Sequence, residues 1–129
     1  MNISKRIKIL VIDDEQGIRD WLSLELSSEG YEVKVAEDGE KGIQKAEKEK
    51  FNIIISNIRM PKVSGIEVLN RVKKISPGTM VIMMTGYAIG EKEDENVRKE
   101  AFHFIYKPFE IKEISSLLKK ATVEGGYAN

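Results

Sequence analysis

Hydrophobic and polar positions alternate in two rhythms along this chain. Residues 7–12 (IKILVI), 51–56 (FNIIIS) and 80–84 (MVIMM) are nearly continuous apolar runs rich in β-branched residues. Such runs predict strands covered on both faces of a parallel sheet. Residues 31–36 (YEVKVA) alternate apolar with polar and predict a less covered strand nearer an edge. Residues 102–106 (FHFIY) are a fifth candidate strand. Between these runs the apolar spacing turns helical. Ile18, Trp21, Leu22 and Leu26 share one face, as do Ile66, Leu69 and Val72, while Ile111, Ile114, Leu117, Leu118 and Ala121 form the clearest stripe. Gly42, Ile43 and Ala46 mark a weaker helix with Asp38 as its N-cap; Lys41 stands at N3, so no capping box is expected. Residues 91–100 (EKEDENVRKE) hold eight charges in ten positions, a solvated helix face by default. Ile89, Val97 and Ala101 give that fourth helix only a thin apolar stripe, which predicts that Gly90 to Glu100 is the least rigid part of the core. Five strands alternating with five helices imply βαβ units and a doubly wound parallel sheet, an α/β fold.

The 129 residues suffice for one domain. Lys plus Arg equals Asp plus Glu at 21 each, which argues against a surface for nucleic acid or anionic membrane. The absence of cysteine excludes disulfide scaffolds, Cys-ligated zinc and thiol catalysis, and a single histidine, His103, excludes His-rich metal sites. His103 is expected to be an exposed or edge-strand residue without a role. No apolar run approaches the roughly 20 residues that span a bilayer, and acids at Asp13, Asp14 and Glu15 stand where a secretory signal would need its apolar core. The expectation is a soluble, cytoplasmic, single-domain protein.

In a doubly wound sheet, ligands gather beyond the carboxyl ends of the strands. The residues there are Asp13 and Asp14, then Ala36 to Asp38, then Asn57, Thr85 and Lys107. Two adjacent carboxylates at a loop mouth repel unless a cation lies between them, and hard oxygen ligands suit Mg²⁺. A lysine and a threonine hydroxyl from neighbouring strand ends can bind the other oxygens of a tetrahedral anion. Metal on one side and lysine on the other is what phosphoryl transfer needs. Taken singly, each residue also has a bland explanation. Asp13 and Asp14 would serve as an N-cap pair for the first helix, Thr85 as a turn residue before Gly86, and Lys107 as a surface cation.

Four strings carry a family resemblance: VIDDE (11–15), NIRMPKVSGIEVL (57–69), MTGYA (84–88) and FIYKPF (104–109). In order and spacing the chain resembles the receiver domain of two-component response regulators from about residue 7 to residue 120. The resemblance implies a flavodoxin-like (βα)5 fold with strand order 2-1-3-4-5. It implies Asp13 and Asp14 as the acidic pair holding Mg²⁺, with the backbone carbonyl of Arg59 as a further ligand. Thr85 matches the switch hydroxyl, Lys107 the phosphate-binding lysine, and Phe104 the rotating aromatic of the output face. The peptide between Lys107 and Pro108 is expected to be cis, as in the family.

One departure matters more than these matches. The phospho-accepting aspartate of the family stands three residues before Met-Pro, and here that position is Asn57. A neutral amide oxygen is a far weaker nucleophile than a carboxylate. Loss of a negative charge should also weaken Mg²⁺, although the amide oxygen remains available as a neutral ligand. The chain is therefore expected to be a non-phosphorylatable variant of a working receiver; the alternative is a natural phosphorylation-independent pseudo-receiver acting as a protein-interaction module. Glu100 and His103 also stand where the family usually shows Gly and Asp.

The rivals fail on chemistry. A flavodoxin-like FMN carrier needs a Ser/Thr/Gly-rich loop after the first strand, where Asp13-Asp14-Glu15 would repel phosphate. No GxxxxGK[ST] string exists for a Walker-type hydrolase, and D-D-E replaces the D-x-D of haloacid-dehalogenase phosphatases. The expected organisation is a receiver domain over residues 1–122 and a flexible tail or start of a linker over 123–129. It is not expected to be an enzyme in its own right. The partners implied are a sensor histidine kinase, an output domain or effector protein, and a second copy through the face of the fourth and fifth helices.

Overall fold

The computed structural model describes residues 6–86 and 99–127. Its strands are β1 (Lys8–Ile12), β2 (Glu32–Ala36), β3 (Ile53–Asn57), β4 (Met80–Thr85) and β5 (His103–Tyr106), and its helices are α1 (Gln16–Ser28), α2 (Gly39–Lys48), α3 (Gly65–Ile75) and α4 (Ile111–Glu124). The five strands form one sheet in the order β2-β1-β3-β4-β5, and all four pairings are parallel. The doubly wound α/β arrangement and the 2-1-3-4-5 order agree with expectation. The helix expected over residues 91–100 lies outside the described residues, except that Lys99 and Glu100 are helical.

Successive side chains of a strand point to opposite faces, and this period sorts the core into two layers. Leu10, Ile12, Ile54, Val81 and Met83 pack with Val68, Leu69 and Val72 of α3. Ile9, Val11, Ile53, Ile55, Ile82 and Met84 pack with Leu22 and Leu26 of α1 and with Ile114, Leu118 and Ala121 of α4. Continuous apolar runs are thus used on both faces, as expected of central strands. β2 lies at one edge and is only partly covered, and β5 lies at the other with His103 exposed.

α2 looked weak by sequence because glycine takes the place of an apolar anchor. A Cβ on Gly42 would come within 2.4 Å of Ile12 Cδ1, so the absence of a side chain lets α2 lie close against β1. Asp38 caps α2 by accepting the Lys41 N–H at 2.8 Å, as its position predicts. α4 begins at Ile111, where Glu113 Oε1 accepts the Glu110 N–H at 3.1 Å. At its other end, Val123 and Glu124 are still helical. Gly125 to Tyr127 then turn back, and the Tyr127 hydroxyl donates to the Gly78 carbonyl at 2.6 Å. The start of the expected tail is therefore part of the folded unit as far as Tyr127.

Candidate functional site

Parallel register brings the carboxyl ends of the strands to one edge. Ile12 pairs with both Ala36 and Ser56, Asn57 with Met84, and Thr85 with Tyr106. The hydrogen-bond ladder runs one step further. The Asp13 N–H donates to the Ala36 carbonyl at 3.2 Å, Ile58 to Met84 at 2.9 Å, and Lys107 to Thr85 at 2.7 Å. These backbone bonds hold Asp13, Asn57, Thr85 and Lys107 above the same end of the sheet, where chemistry is expected in folds of this class.

Asp13 is fully buried. Its Oδ1 accepts the Glu15 N–H at 2.9 Å and its Oδ2 accepts from Lys107 Nζ at 2.9 Å. Burial pushes the Asp13 carboxyl above the usual carboxylate value, against the lowering pull of the Glu15 N–H and the Lys107 ammonium, with Asp14 adding a smaller upward push. Arg19 donates to the Asp13 carbonyl at 2.8 Å, and Lys107 also lies 3.5 Å from Glu15 Oε1. Neither Asp13 nor Asp14 caps α1: its N-cap position is Glu15, whose side chain makes no cap bond. The bland reading of the acidic pair is thereby set aside. The Lys107–Pro108 peptide is cis.

Asn57 is 7% exposed at the end of β3. Its Nδ2 lies 3.2 Å from Asp14 Oδ1 and 3.0 Å from the Arg59 carbonyl oxygen. Both neighbours are acceptors only, so the amide must turn its N–H₂ toward them. The atom expected to ligate Mg²⁺ was the amide oxygen, and the atom facing these two oxygens is the nitrogen.

Magnesium is bound through oxygen lone pairs, and an N–H donor offers none. Here the N–H₂ of Asn57 holds Asp14 and the Arg59 carbonyl, while Lys107 and the Glu15 N–H hold Asp13. The residues as they stand do not fit Mg²⁺. Among the described residues no cluster of three or more His, Cys, Asp or Glu side chains could hold a metal.

Thr85 is buried at the end of β4, in the strand between those that lead to Asn57 and Lys107. Phe104 is partly buried and packs on the layer that contains Met83 and α3. The loop from β3 to α3 carries two local constraints. Lys62 has φ of 68° and sits inside a tight turn closed by Val63 N–H to the Pro61 carbonyl at 2.8 Å, a backbone shape that side chains rarely adopt. A Cβ on Gly65 would meet the Asn57 carbonyl oxygen at 2.2 Å, so the start of α3 presses on the end of β3. Sequence reasoning assigned no role to Glu15, Arg19, Lys62 or Gly65. Glu15, Lys62 and Gly65 stood inside the quoted strings without an assigned role, and Arg19 carried no signal; what Arg19 and Lys62 do depends on loop geometry.

The family model of the response regulator receiver domain matches residues 9–119. Sporulation initiation phosphotransferase F of Bacillus subtilis (strain 168) is 34% identical over 113 residues, covering 88% of this chain and 91% of that protein. The transcriptional regulatory protein GlrR of Escherichia coli (strain K12) is 33% identical over 81% of this chain, which spans only 23% of that protein. Among solved structures, a CheY-like response regulator receiver domain protein from Methanospirillum hungatei JF-1 superposes with a TM-score of 0.91 at 32% identity, covering 95% of this chain and 98% of that one. The response regulator protein TrrA of Thermotoga maritima, in complex with Mg²⁺-BeF, superposes with a TM-score of 0.81 at 34% identity, covering 88% of this chain and 97% of that one. This chain belongs to the response regulator receiver domain family.

Proposed function

We propose that the chain is a receiver whose position 57 is the phosphoacceptor position, and that with Asn57 it takes no phosphoryl group. The observation that supports this is the junction of Asp13, Asp14, Asn57, Thr85 and Lys107 at one sheet edge, with an amide where a nucleophile is needed. Acceptance requires a carboxylate oxygen to attack the phosphorus of a phosphohistidine or of acetyl phosphate while the bond to the histidine nitrogen or the acetate oxygen breaks. A neutral amide is a poor nucleophile for that step, and its N–H₂ faces the pocket oxygens. The chain turns over no substrate of its own in this reading. A sensor histidine kinase donates to the Asp form, with Mg²⁺ as its cofactor, and an output domain or effector responds. Lys107 and Thr85 receive the phosphoryl oxygens, and Phe104 carries the change to the β5 edge.

Phosphotransfer from acetyl phosphate or a histidine kinase, read by mass spectrometry, tests this. The Asn57 chain should stay unmodified, and Asn57→Asp should take up one phosphoryl group when Mg²⁺ is present. A stably phosphorylated Asn57 chain would refute the reading. An unreactive Asn57→Asp chain would favour a natural pseudo-receiver that binds partners, or a second copy, without phosphorylation. That second reading draws support from a groove of about 500 Å³ between β5 and α4, lined by Phe104, Tyr106, Glu113, Leu117 and Lys120.

A further inference from the structure

Asn57 does more than fail as a nucleophile. Its N–H₂ group is the link between two loops that are far apart in sequence: Asp14 follows β1 and Arg59 follows β3. Two acceptor oxygens, one of them charged, converge on a single nitrogen at 3.2 and 3.0 Å. Without a donor between them, the Asp14 carboxylate and the Arg59 carbonyl oxygen, both on solvent-exposed residues, would repel each other, and only a cation, an N–H or bound water between them relieves that. The neighbouring carboxylate, Asp13, is satisfied separately by Lys107 and by the Glu15 N–H, so the Asn57 amide is the group that holds the remaining pair.

We infer that the Asn57 amide takes the place of a divalent cation in this pocket: its two N–H groups tie the β1–α1 loop to the β3–α3 loop, so the folded chain needs no metal to hold this site together. The inference deepens the reading of position 57 given above, and rests on it only for the identity of the pocket. A carboxylate at 57 has the same shape but no donor. It would add a third acidic group beside Asp13 and Asp14 and remove the N–H₂ donor that the Asp14 and Arg59 oxygens share. The amide thus exchanges a metal-dependent site for a metal-independent one.

Thermal unfolding in EDTA and in millimolar MgCl₂ tests this on three chains: Asn57, Asn57→Asp and Asn57→Ala. In EDTA the Asn57 chain should melt highest, with Asn57→Asp about 5 °C or more below it and Asn57→Ala also below it. Magnesium should leave the Asn57 melting temperature unchanged and raise that of Asn57→Asp. Calorimetric titration with MgCl₂ should show binding to Asn57→Asp and at least about tenfold weaker binding to the Asn57 chain. A melting temperature in EDTA equal to or lower than that of either variant would overturn the inference. So would Mg²⁺ binding by the Asn57 chain as tight as that of Asn57→Asp. Acetyl phosphate uptake separates this inference from the receiver reading. If Asn57→Asp accepts phosphoryl but is as stable as Asn57 in EDTA, the inference falls and that reading stands. If Asn57→Asp binds Mg²⁺ and melts below Asn57 in EDTA but accepts no phosphoryl group, the inference stands and that reading falls; if it binds no Mg²⁺, the inference falls.

Discussion

Lys107 Nζ lies 2.9 Å from Asp13 Oδ2, joining the residue after β5 to the residue after β1 across 94 positions of sequence. Asp13 is wholly buried and the Lys107 side chain is 17% exposed, so this pair differs from an exposed ion pair that water screens. Removing one partner of such a pair leaves a buried charge without compensation. Lys107→Met keeps the aliphatic stem and deletes the ammonium. It should cost about 2–3 kcal/mol of folding stability in urea titrations, and adding Asp13→Asn to it should restore part of that loss. Equal stability of Lys107→Met and the parent chain would show that the ammonium is not what balances Asp13.

Asp13 also predicts a pH dependence. Its carboxyl is raised above the ordinary value, with burial as the largest cause, so the folded state binds a proton more readily than the unfolded chain. A raised acid contributes stability that is complete below its unfolded value and is lost as pH rises through the folded one. The parent chain should therefore lose stability relative to Asp13→Asn as pH rises from about 4, then hold a constant difference once Asp13 is ionised in both states. Urea midpoints across this window decide the matter. The opposite slope would mean that the pull of Lys107 outweighs burial.

The sheet was legible because its central strands are written as unbroken apolar runs, which only a parallel sheet covered on both faces uses fully. The candidate site was legible because strand ends converge by topology, so Asp13, Asn57, Thr85 and Lys107 could be placed together before any distance was known. What could not be read is direction at short range. Nothing in the letters shows that Asn57 presents nitrogen rather than oxygen, since that depends on Asp14 and the Arg59 carbonyl both being acceptors at about 3 Å. Nor do they show that Gly42 and Gly65 are gaps into which neighbours press. The docking of Tyr127 was missed for a related reason: two glycines before it suggest fraying, whereas here they form the turn that returns the chain to Gly78.

Gly65 and Gly17 should respond oppositely to alanine. A Cβ on Gly65 would lie 2.2 Å from the Asn57 carbonyl oxygen and 2.8 Å from Ile58 Cα, both backbone atoms that cannot swing aside. Gly65→Ala should destabilise by about 2–4 kcal/mol, because the start of α3 must move away from β3. Gly17 lies in α1 with nothing within 4 Å of its Cβ position. Gly17→Ala should stabilise by about 0.5–1 kcal/mol through helix propensity and a less entropic unfolded chain. Thermal unfolding of the two variants should bracket the parent chain. A stabilising Gly65→Ala would show that the close approach is not structural.

The turn after α4 should be held by one phenol. Gly125, Gly126 and Tyr127 donate their N–H groups to the carbonyls of Ala121, Val123 and Thr122, satisfying acceptors that the end of a helix leaves open. The Tyr127 hydroxyl then donates to the Gly78 carbonyl at 2.6 Å, on the loop between α3 and β4. Tyr127→Phe keeps the ring and removes only the hydroxyl, which donates to Gly78 and also bonds Asn52, so it should cost about 0.5–1.5 kcal/mol. Truncation after Glu124 should cost more, since it also removes the three N–H groups that close the helix. Burial raises the Tyr127 phenol above its ordinary value, opposed by a bond from Asn52. The sign follows as for Asp13: a raised phenol contributes stability that is complete below about pH 10 and is lost as pH climbs through its folded value. The stability of the parent chain should therefore fall more steeply above pH 10 than that of Tyr127→Phe, and the gap between them should narrow. Amide exchange at Gly125 to Tyr127 supplies the independent check. Protection there in the parent chain, weakened in Tyr127→Phe, is the expected result, and exchange at the rate of an unstructured peptide in both chains would show that the turn is not held.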